Sequence, residues 1–167
     1  VMPEITVTGY RAVKRRIACG VQDGAAICTR RQKLELSLLT AISEKGFSFT
    51  DDVLLDNGCT PEDILLHRVC PAILSAQRLG NKLMVKGEMQ LCVLYRDDGQ
   101  TLRQYDAALP FSQILDVAEL PEDAEYTLCP QIGECDIRVM RTDSGSGFGL
   151  TARVDISLLA YQSRTIT

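Results

Sequence analysis

The chain has no tryptophan, a single histidine (His67) and few aromatic side chains, 5% of 167 residues. One imidazole leaves little material for histidine-based acid–base chemistry and cannot complete a Cys₂His₂ metal site. Scarce aromatics argue against a sugar-stacking platform, for which Tyr105, Tyr126 and Phe148 are the available residues. No apolar run approaches the ~18 residues of a membrane-spanning helix. The first residues do not read as a basic-then-apolar leader. Seven cysteines are present, but no two stand in a C-x-x-C pair. Several sit inside apolar segments, as Cys92 does in Leu91-Cys92-Val93-Leu94, where a thiol behaves as a small hydrophobe. That usage predicts a reducing, cytoplasmic setting. The competing expectation is a disulfide between a pair such as Cys129 and Cys135.

What remains is globular composition, 46% hydrophobic and 24% charged. The net charge of −4 is unevenly placed. Residues 1–33 carry seven basic and two acidic side chains, +5, and the remainder carries eleven basic and twenty acidic ones, −9. A solvated strand face explains much of this. As a partner-binding site, the basic end offers Arg15, Arg16, Arg30 and Arg31. It lacks the interleaved aromatics and motifs of a nucleic-acid binder.

Period two dominates the hydrophobic pattern. Between Lys82 and Tyr95, the residues Leu83, Val85, Met89, Leu91, Val93 and Tyr95 share one parity, opposite Lys82, Lys86, Glu88 and Gln90. This is a strand with one buried face. Gly87 in its middle predicts a bulge or a close backbone approach. Arg96-Asp97-Asp98-Gly99-Gln100 predicts a hairpin, which explains its paired acids as turn residues, not as a catalytic dyad. Leu34–Thr40 alternates with Leu34, Leu36 and Leu38 inward. Val154–Ala160 does so with Val154, Ile156 and Leu158, and 134–141 with Cys135, Ile137 and Val139. Weaker strand signals cover 5–13, 17–21, 26–29 and 47–55. Thr60, Pro61, Glu62 and Asp63 have the chemistry of a helix start. They predict a short helix with Ile64, Leu65 and Val69 buried, ended by Pro71, and with His67 on its partly buried face. Ser144-Gly145-Ser146-Gly147-Phe148-Gly149 fits no phosphate-binding motif and reads as a hairpin tip.

Two segments are alike. Lys33-Leu34-Glu35-Leu36-Ser37-Leu38-Leu39 parallels Arg153-Val154-Asp155-Ile156-Ser157-Leu158-Leu159, which predicts an internal repeat burying the same face twice. Residues 1–56 are then the end of a preceding β unit, or extra strands for the unit over 57–167. The expected fold is mainly β, with antiparallel sheets in a sandwich-like arrangement and one or two short helices.

Beyond these patterns, Thr60–Tyr161 resembles the SPOCS domain, or DUF3794, family of spore-forming Firmicutes. The similar features are Pro61-Glu62-Asp63-Ile64-Leu65, Lys82–Glu88 followed by Val93-Leu94-Tyr95, Leu109-Pro110-Phe111, and Val154–Leu158. The resemblance implies a non-catalytic interaction module that binds spore morphogenetic or coat proteins on the mother-cell side of the developing spore. It implies no catalytic residue, metal or cofactor. Gly87, Tyr95 and Phe111, its best matches, are assigned to packing and backbone geometry. No LysM module of the kind often joined to this family is recognisable, so its cell-wall binding does not carry over. Self-association through strand edges is a further expectation, and a carbohydrate- or peptidoglycan-binding module is the alternative.

Overall fold

The computed structural model describes residues 7, 9–16, 33–55, 58–117, 120–121 and 123–166. Two compact units divide the chain, 37–163 in one and 1–36 with 164–167 in the other. In the second unit, the described residues between 7 and 16 are exposed and lie outside strands. No strand therefore covers the described part of 5–13, while 17–21 and 26–29 lie outside the described residues.

Six strands follow one another: β1 (Leu34–Leu54), β2 (Pro61–Leu79), β3 (Lys82–Asp97), β4 (Leu102–Asp116), β5 (Glu125–Thr142) and β6 (Gly145–Ile166). They form two three-stranded antiparallel sheets, ordered β1-β6-β5 and β2-β3-β4. The central strands supply the core. Leu83, Val85, Met89, Leu91, Val93 and Tyr95 of β3 are buried, as are Phe148, Leu150, Ala152, Val154, Ile156, Leu158 and Ala160 of β6. Both sets keep strict alternation, because every second side chain of a strand leaves the same face. The inner faces meet ring on ring. Tyr95 stands edge-on to Phe148 with centroids 5.2 Å apart, and Phe47 of β1 lies 5.4 Å from Phe111 of β4. The arrangement is the expected sandwich.

Gly87 is where the packing demands a glycine. Its partner across the ladder is Phe111, and a Cβ there would fall on that ring and on the Ala72 carbonyl oxygen. The facing strand β2 also slips register between Ile73 and Ser75. The close approach expected at Gly87 is thus met, while the bulge lies on β2 opposite it.

Two expectations are corrected. First, among the described residues there is no helix, and 61–79 is strand. It pairs with β3 from Pro61↔Asp97 to Leu79↔Lys82. Three register shifts, at Pro61/Asp63, Ile64/Leu66 and Ile73/Ser75, break the alternation. That scrambling hides the strand from a period-two reading. Leu65, expected in a helical stripe, sits at one shift and is exposed, and His67 is exposed as well. Pro71 does not end a helix; it sits in an edge strand. Pro110 on β4 and Pro130 on β5 do the same, since only an edge tolerates the missing donor.

Second, β1 is continuous and its parity changes along it: Leu36 is half-buried as expected, but Leu34 and Leu38 are exposed. Leu38 is 42% exposed, while Ala41, Phe47, Phe49 and Val53 turn inward. The doublet Leu38-Leu39 suits either parity, and the aromatic end of the strand decides it. β1 and β6 are sheet neighbours, with Thr40 Oγ1 donating to the Ala160 carbonyl at 3.2 Å. Leu158, the counterpart of Leu38 in the expected repeat, is fully buried. The two similar segments therefore do not bury the same face.

Candidate functional site

The basic residues singled out in the sequence are not assembled into a site. Arg15 and Arg16 are exposed in the stretch 9–16, and Arg30 and Arg31 lie outside the described residues. The aromatic candidates are dispersed too. Phe148 is in the core, Tyr105 is half-buried and tilted against it, and Tyr126 is exposed on edge strand β5.

The hairpin at 97–101 is a structural knot. Asp97 is only 3% exposed. Its Oδ1 accepts from the Thr101 amide at 2.8 Å and its Oδ2 from Arg103 Nε. The Arg103 guanidinium first, and the Thr101 amide second, hold this carboxyl below its ordinary range. Asp98 is exposed, and its amide ties the turn to the Thr60 carbonyl at 3.0 Å. The two acids thus share no chemistry. The left-handed backbone falls on Gln100, φ 60°, not on Gly99. This suits a three-residue loop, in which the residue after a type I turn is left-handed. At the other hairpin, Thr142 pairs with Gly145, whose φ is 142°. A Cβ on Gly147 would overlap the Val53 carbonyl. The glycine run lets β1 pass closely; it does not cradle a phosphate.

Strand edges are blunted. Besides the edge prolines, Lys45 Nζ donates to the Ile114 carbonyl on β4 at 2.7 Å. These are devices that discourage strand addition.

The outer face of β2-β3-β4 is more open to a partner. Leu66 faces Leu94 across the ladder, and Leu102 pairs with the next outward residue, Arg96. Leu66 is 65% and Leu102 60% exposed. Charged and amide groups ring this apolar cluster. Arg96 donates to Asp63 at 2.7 Å, and Gln104 donates to Asp106 at 2.8 Å. Arg96 Nε is buried without a hydrogen-bond partner. An apolar centre with a polar rim is the anatomy of a protein interface. Farther along the same face, Arg68, Cys70, Cys92 and Asp106 line a shallow concavity of about 520 Å³. No group of three or more metal-ligating side chains is found among the described residues.

Residues 60–140 match the family model described as SipL, SPOCS domain. The segment is similar to the SPOCS family. The match runs from the start of β2 into β5. It contains the knot at Asp97, the Gly87–Phe111 contact and the whole outer face of β2-β3-β4. It stops before β6, so the similarity of Val154–Leu158 lies outside it. No curated protein and no solved structure matches the chain. The SPOCS assignment suggests a sporulation-related protein-interaction module. No helix among the described residues is long and apolar enough to cross a membrane.

Sequence reasoning missed the Leu66–Leu94–Leu102 cluster, because the bulges of β2 conceal which leucines face out. It also missed Arg103 as the partner of Asp97. An arginine just past a hairpin that opens on an aspartate is the signal that could have found it.

Proposed function

We propose that the chain is a non-catalytic scaffold of spore coat or envelope assembly, working on the mother-cell side and binding spore morphogenetic or coat proteins. The SPOCS match over 60–140 carries this reading. The geometry supports it at two points. The acids that stood out in the sequence are occupied with turn formation, and Gly87, Tyr95 and Phe111 with packing. The partner this surface suits is a folded protein with an apolar centre and a mixed-charge rim, complementary to Leu66, Leu94 and Leu102 inside Asp63, Arg96 and Asp106. Binding through a sheet face leaves the blunted edges unused, so strand addition is the less favoured route to self-association.

The test is capture from sporulating cells with the full chain and with Leu66→Lys/Leu102→Lys. The wild type recovers identified coat or morphogenetic proteins, and the variant loses at least about tenfold of that signal, as expected for interface anchors. Failure of the wild type to enrich any such protein over a control bait would defeat the reading.

A further inference from the structure

The outward positions of β2-β3-β4 form rows across the three strands. Two rows carry no charge, Leu66-Leu94-Gln104 near one end and Gln77-Met84-Ile114 near the other. Leu66 is 65% and Ile114 48% exposed. Leu94 and Met84 lie equally far on either side of Met89. Charges of both signs fill other rows. Between the uncharged rows stand Arg68 and Lys86 with Asp106 and Glu88. Beyond them Lys82 faces Asp116, and Arg96 faces Asp63. Basic and acidic groups are equal in number, so this face is neutral on a chain of net charge −4. The outer face of β1-β6-β5 differs. At its positions alternating with the core, Glu44, Asp52, Glu125, Asp136 and Asp155 outnumber Arg138 and Arg153. Two such acidic faces repel each other, whereas two neutral faces of mixed charge do not.

We infer, resting on the reading of the β2-β3-β4 face as an interaction surface, that its occupant in the purified protein is a second copy of the chain, which a coat protein has to displace. A twofold axis crossing the strands at Met89 relates the copies, and in such an isologous contact every pairing occurs twice. Leu94 then stacks on the second copy's Met84, and Gln104 on its Ile114. The same rotation brings the second copy's Lys86 towards Asp106 and its Glu88 towards Arg68, so opposite signs meet along the middle of the contact. A twofold axis along β3 is disfavoured, because it sets Lys86 on Lys86 and Glu88 on Glu88. Three strands about 4.8 Å apart, and about fourteen residues long at ~3.3 Å each, offer about 650 Å² per copy. Together the copies bury about 1,300 Å², within the ~1,200–2,000 Å² of a stable interface.

The experiment is sedimentation velocity of the purified full chain across a concentration series. The wild type is dimeric at about 100 μM, as an interface at the lower end of the stable range requires. Lys86→Glu/Arg68→Glu, which makes the face acidic, and Glu88→Lys/Asp106→Lys, which makes it basic, each weaken the dimer at least about tenfold. An equal mixture of the two variants restores it as a heterodimer. Ile42→Lys, on the outer face of the other sheet, leaves it unchanged. Carbodiimide treatment of mixed heavy- and light-isotope wild type, which needs no variant, links Lys86 of one copy to Asp106 of the other. A wild type that stays monomeric at about 100 μM, a dimer lost on Ile42→Lys, or cross-links between copies that avoid Lys86 and Asp106 would each overturn the proposal. A monomer that still captures coat proteins defeats the dimer alone, and a dimer that captures none defeats the scaffold reading alone.

Discussion

Asp97 is a buried carboxylate in a turn, and its surroundings dictate how it responds to acid. Arg103 and the Thr101 amide favour the ionised form, so its folded pKa lies below the unfolded value of about 3.9. The stabilisation is complete above that unfolded value and is lost as pH falls through the folded one. Asp97→Asn is expected to lower the melting temperature at neutral pH and to flatten its decline in acid. Thermal unfolding of both proteins across the acid range checks this, and parallel curves would remove Asp97 from the account. Gln100 lends itself to the opposite kind of change. A side chain at φ 60° pays a left-handed penalty that glycine avoids. Gln100→Gly gives up an exposed hydrogen bond to Glu62 and makes the unfolded chain more flexible. The balance predicts a gain of about 0.5 kcal/mol by chemical denaturation. Sequence reading located this turn but placed neither the left-handed residue nor the partner of Asp97. Both depend on loop length and on a neighbour brought in across the hairpin.

At the scale of single strands, periodicity was decisive wherever one face is buried and no bulge intervenes. β3 and β6 meet those conditions, and their inward residues were legible one by one. β2 fails them. Its three register shifts move the parity repeatedly, and Thr60-Pro61-Glu62-Asp63 carries helix-start chemistry that pairing with β3 overrides. β1 is ambiguous at Leu38-Leu39 for a simpler reason, since either leucine can face the core. The corrected parity has a direct consequence. Phe49→Lys, at a buried position, is expected to cost about 3–5 kcal/mol, and Leu38→Lys less than about 0.5 kcal/mol. Val93→Asp belongs with the first class, because Val93 is fully buried in the central strand. Urea denaturation of the three variants ranks them, and a destabilising Leu38→Lys with a tolerated Phe49→Lys would restore the opposite register.

For the whole molecule, the fold class was visible because six amphipathic strands have few ways to hide their apolar faces except against one another. The proposed interaction surface was not visible. Its leucines come from three different strands, and only the register brings Leu66, Leu94 and Leu102 to one face. The basic residues that drew attention in the sequence share no comparable geometry. The resemblance, in contrast, was readable because its features recur in order along the chain, whatever their packing. What joins the fold to the proposed function is the placement of β2 as an edge strand whose outer side chains continue the face of β3. The most direct measurement is nuclear magnetic resonance of the full chain, reading contacts between the Val69 and Leu91 backbones and between the Tyr95 and Phe148 rings. The account predicts both sets of cross-peaks, the second from rings 5.2 Å apart. Helical sequential contacts across 61–70, with no signal between Tyr95 and Phe148, would contradict it.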